Sequence, residues 1–200
     1  MNGDRITSRI TSEEKSTLSS YIGLGILVVL AAGGIYLYLL SHEEKKEFTG
    51  FDPKRPVPDD ATLKRRLKPE QYFVVRQNGT ETAFQNEFWE NQRPGLYADV
   101  TTGEPLFSSL DKFDSGTGRP TFTKPISPDL LVETADNSHD MQRIEIRAKR
   151  SNAHLGHVFA DPTSPTGRRY AVNSAAFRFI PLEQMKAEDY EKFIPLVEKK

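Results

Sequence analysis

A chain of 200 residues with 36% apolar content is long enough for one globular domain with a real core plus an appendage, and too polar for a polytopic membrane protein. Its 27 basic and 28 acidic residues leave a formal net charge of −1, which gives no bulk pull toward nucleic acid, and no nucleic-acid partner is expected. The absence of cysteine excludes disulfides, thiolate metal sites and every cysteine-based redox mechanism in the chain as written.

Residues 1–20 are polar and mixed in charge and read as a tail. Residues 21–40, YIGLGILVVLAAGGIYLYLL, carry no charge. At about 1.5 Å of rise per residue such a run spans a hydrocarbon core of about 30 Å, so it is expected to be a transmembrane helix. A cleaved signal peptide is the competing reading, but the apolar run continues through Ile35–Leu40, past the small residues where cleavage would fall. The expectation is therefore a single-pass N-terminal anchor contacting membrane lipid. Its orientation is unspecified, because Arg5, Arg9 and Lys15 before it are balanced by Lys45, Lys46, Lys54 and Arg55 after it. Residues 41–59, with charges and Pro53, Pro56 and Pro58, read as a semi-extended spacer rather than a packed element.

Asp60 can cap a short helix over Ala61–Leu67, and Pro69 with Glu70 reads as the first turn of another. Short β-branched or aromatic runs separated by Gly, Pro, Asn and Asp follow. Strands are expected over Tyr72–Arg76, Gly95–Val100, Leu130–Thr134, Arg143–Ala148, His157–Phe159, Arg169–Val172 and Ala176–Ile180, which makes the domain mainly β. Residues 182–194 have roughly helical spacing and predict a terminal helix within a final segment, 182–200.

The stretch most suited to chemistry is 154–176, HLGHVFADPTSPTGRRYAVNSAA, which gathers two of the four histidines, two adjacent arginines and an asparagine. An imidazole, with an unperturbed pKa of about 6.5, is fitted to pass a proton. The bland alternative is a strand whose histidines satisfy buried backbone groups, and it is preferred for His154 but not for His157.

Together with LKPEQYFVVRQNGTETAF at 67–84, TGEPLFSS and KFDSGTGRPTF between 102 and 122, and MQRIEI at 141–146, this stretch resembles the methionine-R-sulfoxide reductase family, type B. The resemblance covers residues 60–181 and implies two packed antiparallel sheets with short N-terminal helices. It also implies that Ala171 stands at the position of the catalytic cysteine, with His157 and Asn173 beside it. Arg119, His154, Phe159 and Arg169 are then substrate-binding positions, and Thr117 is the resolving position. Arg119 falls where the family has a tryptophan that forms an apolar wall for the substrate methyl, and Asp140 where it usually has glycine. Family members with zinc use two cysteine pairs; the first region here, Tyr97–Gly103, has no thiolate, so neither metal nor cofactor is expected.

Sulfoxide reduction needs a thiolate or selenolate that can become a sulfenic acid and be restored, and the hydroxyls of Thr117 and Ser174 cannot replace it. Two functions follow. One is a membrane-anchored pseudoenzyme that binds a methionine-sulfoxide-containing protein or an anionic ligand. The other is a reductase whose nucleophile at 171 has been replaced, with thioredoxin a partner only if a cysteine is restored there.

Overall fold

Nine antiparallel strands form two sheets in the computed structural model, which describes residues 50–198. The polar tail, the apolar run 21–40 and the first part of the spacer lie outside the described residues. No helix among the described residues is long and apolar enough to cross a membrane. The smaller sheet has the order β2-β1-β9, with β1 Gly95–Asp99, β2 Pro105–Ser108 and β9 Phe177–Pro181. The larger has the order β3-β4-β8-β7-β6-β5, with β3 Lys112–Phe113, β4 Thr121–Phe122, β5 Leu131–Asp136, β6 Arg143–Ala148, β7 His154–Ala160 and β8 Arg168–Val172.

Alternation along the strands sets where the core lies. Tyr97, Phe107 and Phe177 of the small sheet meet Phe122, Tyr170, Ile146 and Val158 of the large one. The Phe107 and Phe122 rings stack with centroids 4.6 Å apart, and Tyr97 meets Phe122 edge-on at 4.9 Å. The other face of β1, Leu96 and Ala98, packs in a second cluster with Ile180, Met185, Tyr190 and Val197. β1 is thus buried on both faces.

Two helices close one side of the core. α1 is Asp60–Arg66; its N-cap is Asp59, whose carboxylate accepts from Thr62 N at 2.7 Å, and Leu63 and Leu67 are buried one turn apart. α2 is Pro69–Gln77, with Pro69 at its first turn and the Gln71 side chain accepting from Lys68 N. The strand expected at Tyr72–Arg76 is therefore a helix. The β-branched pair Val74 and Val75 suggested a strand, but the proline start and the ties from Tyr72 Oη and Arg76 Nε to Asp60 prevail.

Two further expectations are corrected. In place of one terminal helix, the segment forms 3-10 turns at Leu182–Gln184 and Glu191–Leu196, with Asp189 at φ +60° between them. Met185 and Tyr190 are five residues apart and would splay on a continuous α-helix, yet both must cover the small sheet. The second half of the spacer is also fastened rather than free. Phe51 packs on the second cluster beneath the Arg150 guanidinium, which donates to the carbonyls of Pro53 and Arg55.

The pairing of β6 with β7 is irregular: Ile146 faces Gly156 but Arg147 faces His154, so Leu155 is an extra residue, a β-bulge. Gly156 at φ +149° completes it, and an added Cβ there would stand 2.3 Å from the Ala171 carbonyl oxygen. Gly156→Ala is expected to destabilise the domain by about 1–3 kcal/mol in urea unfolding, through overpacking against β8. A loss below about 0.5 kcal/mol would mean that β7 can shift at no strain.

Candidate functional site

One face of the large sheet is apolar and packed; the other carries the polar residues singled out in the sequence. Cross-strand pairing sets Glu145, His157, Ala171 and Thr121 in one row, since Glu145 faces His157, His157 faces Ala171 and Ala171 faces Thr121. Directly paired residues project on the same side, so Ala171 and His157 are neighbours. Ala171 is buried and presents only a methyl group.

The bulge decides the histidines. Residues three apart on a regular strand point to opposite faces, whereas here His154 pairs with Arg147 and His157 with Glu145, two residues apart on β6. Both imidazoles therefore share the polar face, with ring centroids 5.7 Å apart. His154 Nδ1 donates to Glu145 Oε1 at 2.6 Å, the oxygen that also accepts from Arg147 Nη1 at 2.6 Å. Its Nε2 is buried with no hydrogen-bond partner. Burial pushes the His154 pKa down against the pull of Glu145, so the ring is held neutral. His157 Nε2 donates to Asp136 Oδ2 at 2.7 Å, and Arg143 Nη2 reaches the same oxygen at 2.7 Å. The Ser138 hydroxyl and backbone N–H, and then His157, hold the Asp136 carboxyl far below the usual carboxylate range. That Asp136–Ser138 turn closes with Asp140 at φ +56°, so the glycine-like conformation is kept by an aspartate.

Asn173 is buried at the end of β8 and is fully engaged. Its backbone N–H and its Nδ2 both donate to the Leu155 carbonyl of the bulge, at 2.8 and 3.2 Å. Its Oδ1 accepts from Glu81 N and from Arg119 Nη1, both at 3.2 Å. Arg119 thus turns toward the site rather than to Asp114, whose carboxylate accepts from Gly116 N. Burial lowers the Arg119 pKa and raises that of Glu81, yet no ion pair joins the two. Phe159 lies under the Arg169 guanidinium at 4.8 Å, and Arg169 Nε is 3.4 Å from Asp161 Oδ2. Arg168 projects to the opposite face and bonds Glu133 at 2.6 Å.

Thr117 is exposed, and its hydroxyl is linked through Ser115 to Thr121 by contacts of 2.8 and 2.9 Å. Thr121 donates in turn to the Arg119 carbonyl, so the hydroxyl nearest Ala171 in the row is directed at backbone and not at a base. Among the described residues no three His, Asp or Glu side chains stand together as a metal site. The sequence reading missed Glu145 and Glu81. Glu145 alternates with the apolar positions of RIEI, so its polar face was legible; its histidine partner depends on the bulge and was not.

The SelR domain family matches residues 67–181. "Peptide methionine sulfoxide reductase MsrA/MsrB" of Vibrio cholerae serotype O1 is 47% identical over 139 residues, covering 70% of this chain and 37% of that protein. The chain therefore spans little more than a third of that relative's length.

Proposed function

This chain belongs to the SelR-domain family, that of the methionine-R-sulfoxide reductases of type B, and we propose that as written it binds a ligand without reducing it. The observation that carries this reading is the absence of any cysteine from the 200 residues. Reduction begins when a thiolate attacks the sulfoxide sulfur, takes the oxygen as a sulfenic acid and releases the thioether, after which a reductant regenerates the thiol through a disulfide. The Ala171 methyl beside His157 can do none of this, and a proton donor without a nucleophile does not remove the oxygen. In this reading Ala171 stands at the family's nucleophile position and Arg119 at that of its methyl-binding tryptophan.

The ligand in this reading is a methionine-sulfoxide-bearing protein or a small anion. Arg119 supports it: its half-buried guanidinium donates from Nη1 to Asn173 Oδ1 and has further N–H groups for an oxygen acceptor. The uncharged run 21–40 supports a membrane anchor for the domain. The second reading, a reductase whose residue 171 was replaced, is favoured by the identity to the Vibrio cholerae protein.

Purified protein is expected to show no turnover of methionine-R-sulfoxide with dithiothreitol or thioredoxin; any turnover refutes the mechanism. Ala171→Cys alone should restore little, and Ala171→Cys with Arg119→Trp more. Full recovery by the single change would show that Arg119 does not obstruct the site. In calorimetric titration, methionine sulfoxide or small carboxylates should bind with an affinity that falls in Arg119→Ala; for the anions it should also fall with added salt. Binding that ignores Arg119 would refute its role. The full chain should stay in membranes through a carbonate wash while a chain begun at residue 41 does not; release of both would exclude the anchor.

A further inference from the structure

The polar face buries one titratable ring where no charge can be held. His154 is 3% exposed, and its Nδ1 donates to Glu145 Oε1 at 2.6 Å, which leaves Nε2 as the ring atom that a proton can join. Nε2 is buried with no hydrogen-bond partner. A proton there would make an N–H that meets neither an acceptor nor water, so the geometry by itself keeps the packed ring neutral.

The groups that face the ring do not offset that cost. β6 brings Glu145 and Arg147, but Arg147 Nη1 already reaches the same Oε1 at 2.6 Å, so the carboxylate's charge is met before the imidazole gains one. On β7 itself the His157 ring centroid lies 5.7 Å away. β8 brings Ala171 and, at its end, Asn173, both uncharged, and Asn173 Oδ1 accepts from Glu81 N and Arg119 Nη1. α2, which also packs on β7, has Arg76 tied to Asp60 and Glu70 exposed at its first turn. Burial accordingly pushes the His154 pKa below its usual value, with Glu145 pulling the other way.

We propose that His154 is an acid-sensitive latch: in an acid medium the ring takes a proton only by leaving its place beside Glu145, and the β7 bulge comes loose from β8 with it. His154 pairs with Arg147 at the irregular point of the β6–β7 ladder, and the next residue, Leu155, holds both donors of Asn173 through its carbonyl. Release of the ring therefore reaches Asn173 and, through its Oδ1, Arg119. In the unfolded chain an imidazole binds its proton below about pH 6.5, whereas the packed ring does not. Folding then excludes a proton, so stability falls as pH drops below about 6.5, by about tenfold in the folding equilibrium per pH unit until the packed ring itself titrates. At higher pH this group has no effect on stability.

The test unfolds the full chain in detergent with urea, followed by the fluorescence of its one tryptophan, Trp89, beside His154→Gln, whose amide can donate to Glu145 and takes no proton. Between about pH 7.5 and about pH 5.5 the unmodified chain is expected to lose about tenfold more of its folding equilibrium constant than the variant. Titrating groups common to both, Asp136 among them, cancel in that difference. In NMR spectra of the unmodified chain, the His154 ring of the folded state should keep its neutral Nδ1–H form down to about pH 6, while protection of the Asn173 amide from hydrogen exchange falls. Equal pH slopes in the two proteins, or a His154 ring that protonates in place near about pH 6.5 with Asn173 protection unchanged, overturns the proposal. Should His154→Gln fail to fold, the ring titration and the Asn173 protection of the unmodified chain decide it. Neither readout involves residue 171 or a ligand, so failure here leaves the reading of that position standing.

Discussion

The Leu155 carbonyl is the point on which the site depends. Leu155 is the extra residue of the β7 bulge, and its carbonyl points to β8, where the register Gly156–Val172 carries on to Asn173; a buried carbonyl needs a donor. Asn173 supplies two, from its backbone and its side chain, and so pins the end of β8 to the irregular point of β7. Everything specific to the polar face follows. The extra residue turns His154 and His157 to one side, Gly156 lets the two backbones approach, and the free oxygen of Asn173 becomes the anchor for Glu81 N and Arg119.

That origin explains how far the sequence could be read. Strands such as Arg143–Ala148 were legible because alternation of Arg, Glu and Arg with Ile and Ala marks one wet and one packed face. β2, β3 and β4 were not, since Pro105–Ser108 and the two-residue strands are too short to carry a period. Tyr72–Arg76 was misread because Val74 and Val75 favour strands in isolation, while its helix rests on a proline start and on Asp60, twelve residues before Tyr72. At the site, the family resemblance singled out positions 157, 171 and 173 without giving their partners. The pairing of each histidine with its carboxylate was not, because an H-x-x-H spacing gives opposite faces unless a bulge intervenes.

The charges of the polar face are largely settled among themselves. Glu145 takes Arg147 and His154, Asp136 takes Arg143 and His157, and Asp161 takes Arg169. Such pairs satisfy partly buried groups at little net gain in stability, because desolvation offsets most of the attraction. Arg119 and Glu81 stand apart from these pairs: the Arg119 guanidinium donates to Asn173 Oδ1, and the Glu81 carboxylate accepts from the Ala175 backbone N–H.

The residues of the polar face have structural work in this chain whatever their chemistry. Asn173 holds the bulge, Glu81 accepts from Ala175 N at the far end of the domain's sequence, and His154 and Glu145 complete the bonding of a buried row. Ala171 has no such duty: its methyl accepts no bond and its backbone pairs as any residue would. The row of Glu145, His157, Ala171 and Thr121 is regular around that methyl group, so the register of the sheet does not depend on which side chain stands at 171.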